Sequence, residues 1–230
     1  MIISSQGIGH FTEGLNNQDF GLETSQMLMV LDGCSGAKYS EVGTRLFGQL
    51  FLKKEECDSV EKFEDNVKSV FDDIIKTMKR YYPVDTDLEK EFIMENLLFT
   101  IIACFETENE YIVKLFGDGY IVTQNFNDTI SYLKFYYGPC PPYFAYKYCT
   151  STDGIANFKD YEFKTFVFDK KKFTKVAIAT DGIQPIAKGE VSGLDNAIIS
   201  GNSVILEMGI KTQRQKFYDD VTIGIFGGKR

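Results

Sequence analysis

The run Met27-Leu28-Met29-Val30-Leu31 stops on Asp32-Gly33-Cys34-Ser35-Gly36, and this break from apolar residues to an acid and glycines constrains the chain more than any other stretch. Apolar residues in succession, closed by a glycine turn, read as a buried strand, here one that ends in a carboxylate and an open carbonyl. The same grammar returns at Val176-Ala177-Ile178-Ala179-Thr180-Asp181-Gly182 and, more loosely, at Tyr111 to Phe116 followed by Gly117-Asp118-Gly119. Taken singly, Asp-Gly is also the strongest short signal for a hairpin turn. Asp153-Gly154 is such a case, because Tyr148-Cys149-Thr150-Ser151-Thr152 before it is too polar for a buried strand and reads as a loop.

Elements follow from periodicity. Ile2 to Gly9 and Asp19 to Leu22 read as strands, with a polar loop from Gly9 to Asp19 between them. Val42, Leu46, Leu50 and Phe51 place a helix over Lys38 to Lys53. A second helix starts at Asp58 as N-cap with Glu61 three residues on, carries the stripe Val60, Phe63, Val67, Val70, Phe71, Ile74, Ile75 and Met78, and closes at Pro83. Strands follow at Leu97 to Phe105, Tyr111 to Phe116, Tyr120 to Gln124 and Ile130 to Tyr137, with Gly117-Asp118-Gly119 as a hairpin. Their short spacing favours an antiparallel sheet. Gly138 to Lys159 is irregular and suits a cover over a surface site. Glu162 to Phe168 and Phe173 to Thr180 form a hairpin over the solvated turn Lys170-Lys171-Lys172. Helices at Leu194 to Ile199 and Ser203 to Lys216 precede a last strand, Val221 to Phe226. With no linker tract and no internal repeat, the expectation is one domain over residues 1–230.

Charge narrows the function. A net charge of −8 argues against nonspecific nucleic-acid binding, which needs clustered Lys and Arg. No apolar stretch is long enough to span a membrane and no leader pattern opens the chain, so a cytoplasmic protein is expected. Cys34, Cys57, Cys104, Cys140 and Cys149 are scattered without zinc spacing, so the cysteines read as reduced thiols. The acids Asp19, Asp32, Asp118, Asp181 and the pair Asp219-Asp220 each stand where strand meets loop, and oxygen ligands of this kind suit Mg²⁺ or Mn²⁺. Were they to converge, a metal would be nearly obligatory, since bare carboxylates repel one another and lose solvation. Spacing alone leaves convergence open.

Asn17-Gln18-Asp19, Val30-Leu31-Asp32-Gly33 with Ser40-Glu41-Val42-Gly43, Gly117-Asp118-Gly119, Ala179-Thr180-Asp181-Gly182-Ile183 and Asp219-Asp220-Val221-Thr222-Ile223 resemble, in order, the motifs of the metal-dependent protein phosphatases of type 2C. The resemblance implies an α+β fold in four layers, α/β/β/α, with a central antiparallel β-sandwich flanked by helices. It implies two Mn²⁺ or Mg²⁺ ions on Asp32, the Gly33 carbonyl, Asp181 and Asp219, with Asp19 acting largely through water. A weaker third ion at Asp118 is left open, because Pro185 stands where the family has an acid. The implied activity is hydrolysis of phosphoserine or phosphothreonine by attack of a metal-bridging hydroxide, on a phosphorylated protein substrate and counter to a Ser/Thr kinase, by a monomer.

Departures are equally specific. Gly14 stands where many members carry a phosphate-gripping arginine, Gln18 replaces an acid, and Cys34 replaces a histidine found in the animal enzymes. His10, the only histidine, is similar in placement to a bacterial subgroup with Gly-x-x-His before Asn-Gln-Asp. It reads as a catalytic group contacting phosphate or moving a proton, or else as a structural histidine of the loop. The alternative to an enzyme is a catalytically weak or inactive module that binds metal or phosphoprotein in signalling.

Overall fold

A computed structural model describes residues 1–81, 86–138, 140–149, 158 and 160–226. In chain order it contains β1 (Ile2–Ser5), α1 (Ile8–Glu13), β2 (Phe20–Glu23), β3 (Met27–Gly33), α2 (Ser40–Phe51), α3 (Phe63–Tyr81) and α4 (Thr86–Asn96). Next come β4 (Phe99–Glu106), β5 (Glu110–Phe116), β6 (Gly119–Asn125), β7 (Ile130–Phe135), a 3-10 turn Phe144–Tyr148, β8 (Lys164–Asp169) and β9 (Phe173–Ala179). After a 3-10 turn Asp181–Ile183 come α5 (Gln184–Ala187), α6 (Leu194–Ser200), α7 (Ser203–Thr212) and β10 (Val221–Ile225).

Two five-stranded sheets result, ordered β1-β10-β9-β6-β7 and β2-β3-β4-β5-β8, and every strand pair is antiparallel. The unbroken apolar run of β3 is explained by burial on both faces. Met27, Met29 and Leu31 pack against the layer of α2, α3 and α4, while Leu28 and Val30 face the other sheet. β9 divides the same way, with Ala177 and Ala179 toward α6 and α7 and Val176 and Ile178 between the sheets. The architecture is thus α/β/β/α, as the resemblance implies.

Without tryptophan, phenylalanine fills the first helical layer. Phe47 of α2 lies 5.3 Å from Phe71 of α3 and 5.3 Å from Phe99 of β4, ring centre to ring centre, and all are fully buried. Truncating such a ring to alanine costs about 3–5 kcal/mol.

Several sequence expectations need correction. The supposed loop from Gly9 to Asp19 begins with helix α1, and β1 ends at Ser5 rather than Gly9. The helix is fixed from afar: the N–H groups of Ile8 and Gly9 donate to Phe217 O and Tyr218 O at 2.8 and 3.0 Å. No local pattern carries that information. Helix α3 starts at Phe63 rather than after Asp58, because the Ser59 hydroxyl donates to Glu61 at 2.9 Å and accepts from Lys62 N–H at 3.3 Å, holding this stretch as turns. Helix α4 escaped the sequence reading altogether. Of its apolar residues only Ile93 is buried, so no stripe announces it.

Neither proposed hairpin about Gly117-Asp118-Gly119 nor that about Lys170-Lys171-Lys172 exists as a pairing. β5 and β8 belong to one sheet and β6 and β9 to the other, so both connections cross the sandwich. Gly117 (φ +102°) and Gly119 (φ +132°) supply backbone angles that a corner and a hairpin both require, which is why the pattern reads as either. Pro83 and the Asp153-Gly154 loop lie outside the described residues. Within Gly138 to Lys159, Phe144, Ala145 and Tyr146 are buried in the core beside α3.

Candidate active site

The strand ends that carry the acids meet at one edge of the sandwich. Asp32 sits at the end of β3 opposite Thr100 of β4, Asp118 in the crossing from β5 to β6, Asp181 just after β9, and Asp219 two residues before β10. These four carboxylates line a cleft of about 450 Å³, whose lining also includes Cys140, Pro141 and Tyr143. Among the described residues that line it there is no lysine or arginine.

Glycine makes the convergence possible at two places. A Cβ on Gly33 would stand 2.6 Å from Gln18 O, and one on Gly182 would stand 1.8 Å from Asp220 O. Any side chain at either position would force apart the segments that bring Asp19, Asp32, Asp181 and Asp219 together.

Burial and mutual repulsion, in that order, push the lining carboxyls upward. Asp118 rises to about 7, with Asp181 its largest charged neighbour, and Asp181 rises to about 6, with Asp219 opposing it. Asp219 is raised by burial and by Asp220. Asp32 is raised well above the usual range by burial and then by Asp19, Asp181, Asp219 and Asp118. Acids that disfavour each other's charge this way, with no cationic side chain on the lining, are a donor set suited to divalent cations. The Thr100 hydroxyl, on the same lining, and the Gln18 amide oxygen are buried without a hydrogen-bond partner. The carboxylate and hydroxyl oxygens of this lining fit Mn²⁺ or Mg²⁺.

Asp19 and Asp220 lie behind this lining. Asp19 is 3% exposed and accepts from the Thr180 hydroxyl at 2.8 Å. Its carboxyl is raised well above the usual range by burial, then by Asp220 and Asp219. Asp220 accepts from Gly7 N–H at 2.8 Å on Oδ1, and from Gln18 N–H at 2.7 Å on Oδ2, which also bonds His10 Nδ1 at 2.8 Å. His10, Asp219 and Asp220 offer ligand atoms within 4.8 Å of one another, but both Asp220 oxygens are already filled by protein donors, so His10 and Asp220 form an internal brace and Asp219 alone of the three lines the cleft.

His10 therefore stands on Asp220 and not among the residues lining the cleft. Its pKa is raised, chiefly by that hydrogen bond. Sequence reasoning noted the acid pair but gave Asp220 no task; an acid needed for three buried donors has no local signature. Cys34 borders the cleft. Gly14 closes α1 with φ +69° and presents only backbone. Pro185 lies in α5, so no acid stands there for Asp118. A second cleft of about 390 Å³ beside α3 differs in kind, since its Lys68 and Asp72 pair at 2.6 Å and its Lys147 and Glu162 at 2.8 Å.

Residues 6–208 match the family Protein phosphatase 2C. The chain belongs to that family. The match includes His10, Asp19, Asp32, Asp118 and Asp181 and stops short of Asp219. Similar solved structures extend over the remainder. Serine/threonine phosphatase Stp1 from Staphylococcus aureus is 15% identical with a TM-score of 0.61, over 100% of this chain and 94% of that one. The Mycobacterium tuberculosis serine/threonine phosphatase PstP/Ppp is 14% identical with a TM-score of 0.63, over 98% and 96%. The catalytic domain of PstP in complex with two manganese ions is 14% identical with a TM-score of 0.61, over 98% and 95%. At these identities the likeness is one of fold. No curated protein matches the chain. Members of the phosphatase 2C family are phosphoprotein hydrolases, and this chain carries their sandwich with an acid-lined cleft at its edge.

Proposed function

We propose that this protein is a Mn²⁺- or Mg²⁺-dependent serine/threonine protein phosphatase, built as one domain over residues 1–230. The observation that carries the reading is the convergence of Asp32, Asp118, Asp181 and Asp219 on one cleft whose lining holds no cation of its own. Asp32, Asp181, Asp219 and the Gly33 carbonyl are the groups that would hold two ions, as two manganese ions are bound in the PstP complex. Such ions, when bound, supply an acidified water and neutralise phosphate oxygens.

The remaining residues hold that arrangement in place. Thr180 orients Asp19 through its hydroxyl and is itself fixed by Thr222 N–H at 2.9 Å. Asp220 ties α1 and the Gln18 backbone to the segment that carries Asp219. His10 acts through Asp220, whose oxygen its Nδ1 bonds. Asp118, on the same lining, is the remaining acid available to a third ion. The substrates are phosphorylated proteins and the opposing activity a Ser/Thr kinase. No described helix is long and apolar enough to cross a membrane; that the protein acts as a monomer in the cytoplasm is part of the proposal.

Hydrolysis of p-nitrophenyl phosphate and of a phosphoserine peptide in manganese, abolished by chelator, is the expected result. Activity that survives chelation would overturn it. The second reading, a module that binds metal or phosphoprotein without turnover, draws on the bare backbone at Gly14. Manganese binding by calorimetry with no hydrolysis of any phosphopeptide would favour it.

A further inference from the structure

A phosphate monoester is anionic near neutral pH, and beyond the ions that the carboxylates would hold, a protein cation at the rim would add to its attraction and orient it. On the side of the cleft near α1, Gly14 has no side chain to offer. The opposite rim is different. Lys134, which pairs across the ladder with Tyr120, has its ammonium fixed by contacts that belong to the site. It donates to Gln184 Oε1 at 2.6 Å, three residues past Asp181, and lies 5.1 Å from the ring centre of Tyr136, which lines the cleft. The Tyr120 ring centre is 5.8 Å away. Its charge pulls Asp118 and Asp181 back toward the ordinary carboxylate range. Lys134 is exposed and, among the described residues, makes no ion pair, so its remaining N–H donors are uncommitted.

We propose that Lys134 is the phosphate-facing cation of the cleft, held on the Asp118 and Asp181 rim by Gln184 and Tyr136 so that its free N–H groups meet an oxygen of the bound phosphate group. The inference rests on the phosphatase reading for the identity of its ligand. Gln184 suits the task because a neutral acceptor fixes the ammonium without cancelling its charge. Tyr136 suits it because an aromatic face favours a cation at about this distance.

The test is calorimetry of orthophosphate binding to the manganese-loaded wild type, Lys134→Ala and Lys134→Arg, beside KM and kcat for p-nitrophenyl phosphate and a phosphoserine peptide. Lys134→Ala is expected to weaken orthophosphate binding and raise KM by about tenfold, the size of one charge-assisted hydrogen bond. Because the contact is made equally to ground and transition states, kcat should change by no more than about twofold. Lys134→Arg should restore most of the loss, with both variants still folded and still binding manganese. Unaltered orthophosphate affinity in Lys134→Ala overturns the inference, as does loss of manganese in its place or a wild type that binds no orthophosphate. A wild type that binds orthophosphate through Lys134 yet hydrolyses no ester leaves the inference standing and removes the phosphatase reading.

Discussion

Asp219 and Asp220 are consecutive, carry the same formal charge and precede the same strand, yet the fold treats them as opposites. Asp220 is 2% exposed and its oxygens are taken by Gly7 N–H, Gln18 N–H and His10. Asp219 lines the cleft with Asp32, Asp118 and Asp181, and its carboxyl is pushed up. A buried carboxylate supplied with protein donors is structural; one surrounded by other carboxylates calls for a cation from outside. Position in the sequence does not separate the two kinds, and the count of donors does.

The comparison fails if the two groups respond alike to substitution. The largest effect is expected in Asp32→Ala or Asp181→Ala. Hydrolysis should fall by about 10³-fold, on the scale of several kcal/mol of transition-state charge stabilisation. The thermal midpoint of the metal-free protein should hold or rise, because a like charge has been removed. Asp220→Ala should do the reverse of this at the level of the fold. It should lower stability by about 3–5 kcal/mol in chemical denaturation, as buried partners are left unpaired, and Asp220→Asn should recover part of that.

Acidity sharpens the contrast further. Asp118 and Asp181 have folded pKa values near 7 and 6 against an ordinary 3.8. Between those limits the folded chain binds protons that the unfolded chain does not, so metal-free stability should rise as pH falls from about 8 toward 5. The His10 contribution runs the same way, fully present below its ordinary 6.5 and lost as pH climbs through its raised folded value. Thermal midpoints at three pH values measure the rise. Saturating manganese should turn it into a fall, because protons then compete with the ions. The smallest effect belongs to His10→Gln, which should cost about 1 kcal/mol of stability with hydrolysis kept within severalfold. Wild-type kcat and KM in His10→Ala would confine this residue to bracing.

How much of this was legible depends on how local its cause is. The strands ending on Asp32 and Asp181, the helical stripe of α3 and the ordered acid motifs are written in neighbouring residues, and so were readable. Helix α1 was not, because its first N–H groups are satisfied by Phe217 and Tyr218 from near the far end of the chain. The same holds for Asp220, whose donors come from residues 7, 10 and 18. The crossings at Gly117-Asp118-Gly119 and Lys170-Lys171-Lys172 were misread as hairpins because glycine and solvated lysine serve a corner as well as a turn. Lys134 drew no attention in an edge strand, since Tyr136 is two residues away but only the fold brings Gln184 to it.

The cleft also draws its walls from both sheets, with Asp32 closing a strand of one and Asp181 following a strand of the other. Ions shared by these two residues would rivet the leaves of the sandwich together at one margin. Sliding one leaf past the other would then require releasing the ions first. Resistance to shear between the sheets, read as slowed amide exchange in β3 and β9 on adding manganese, becomes a gauge of occupancy that needs no substrate.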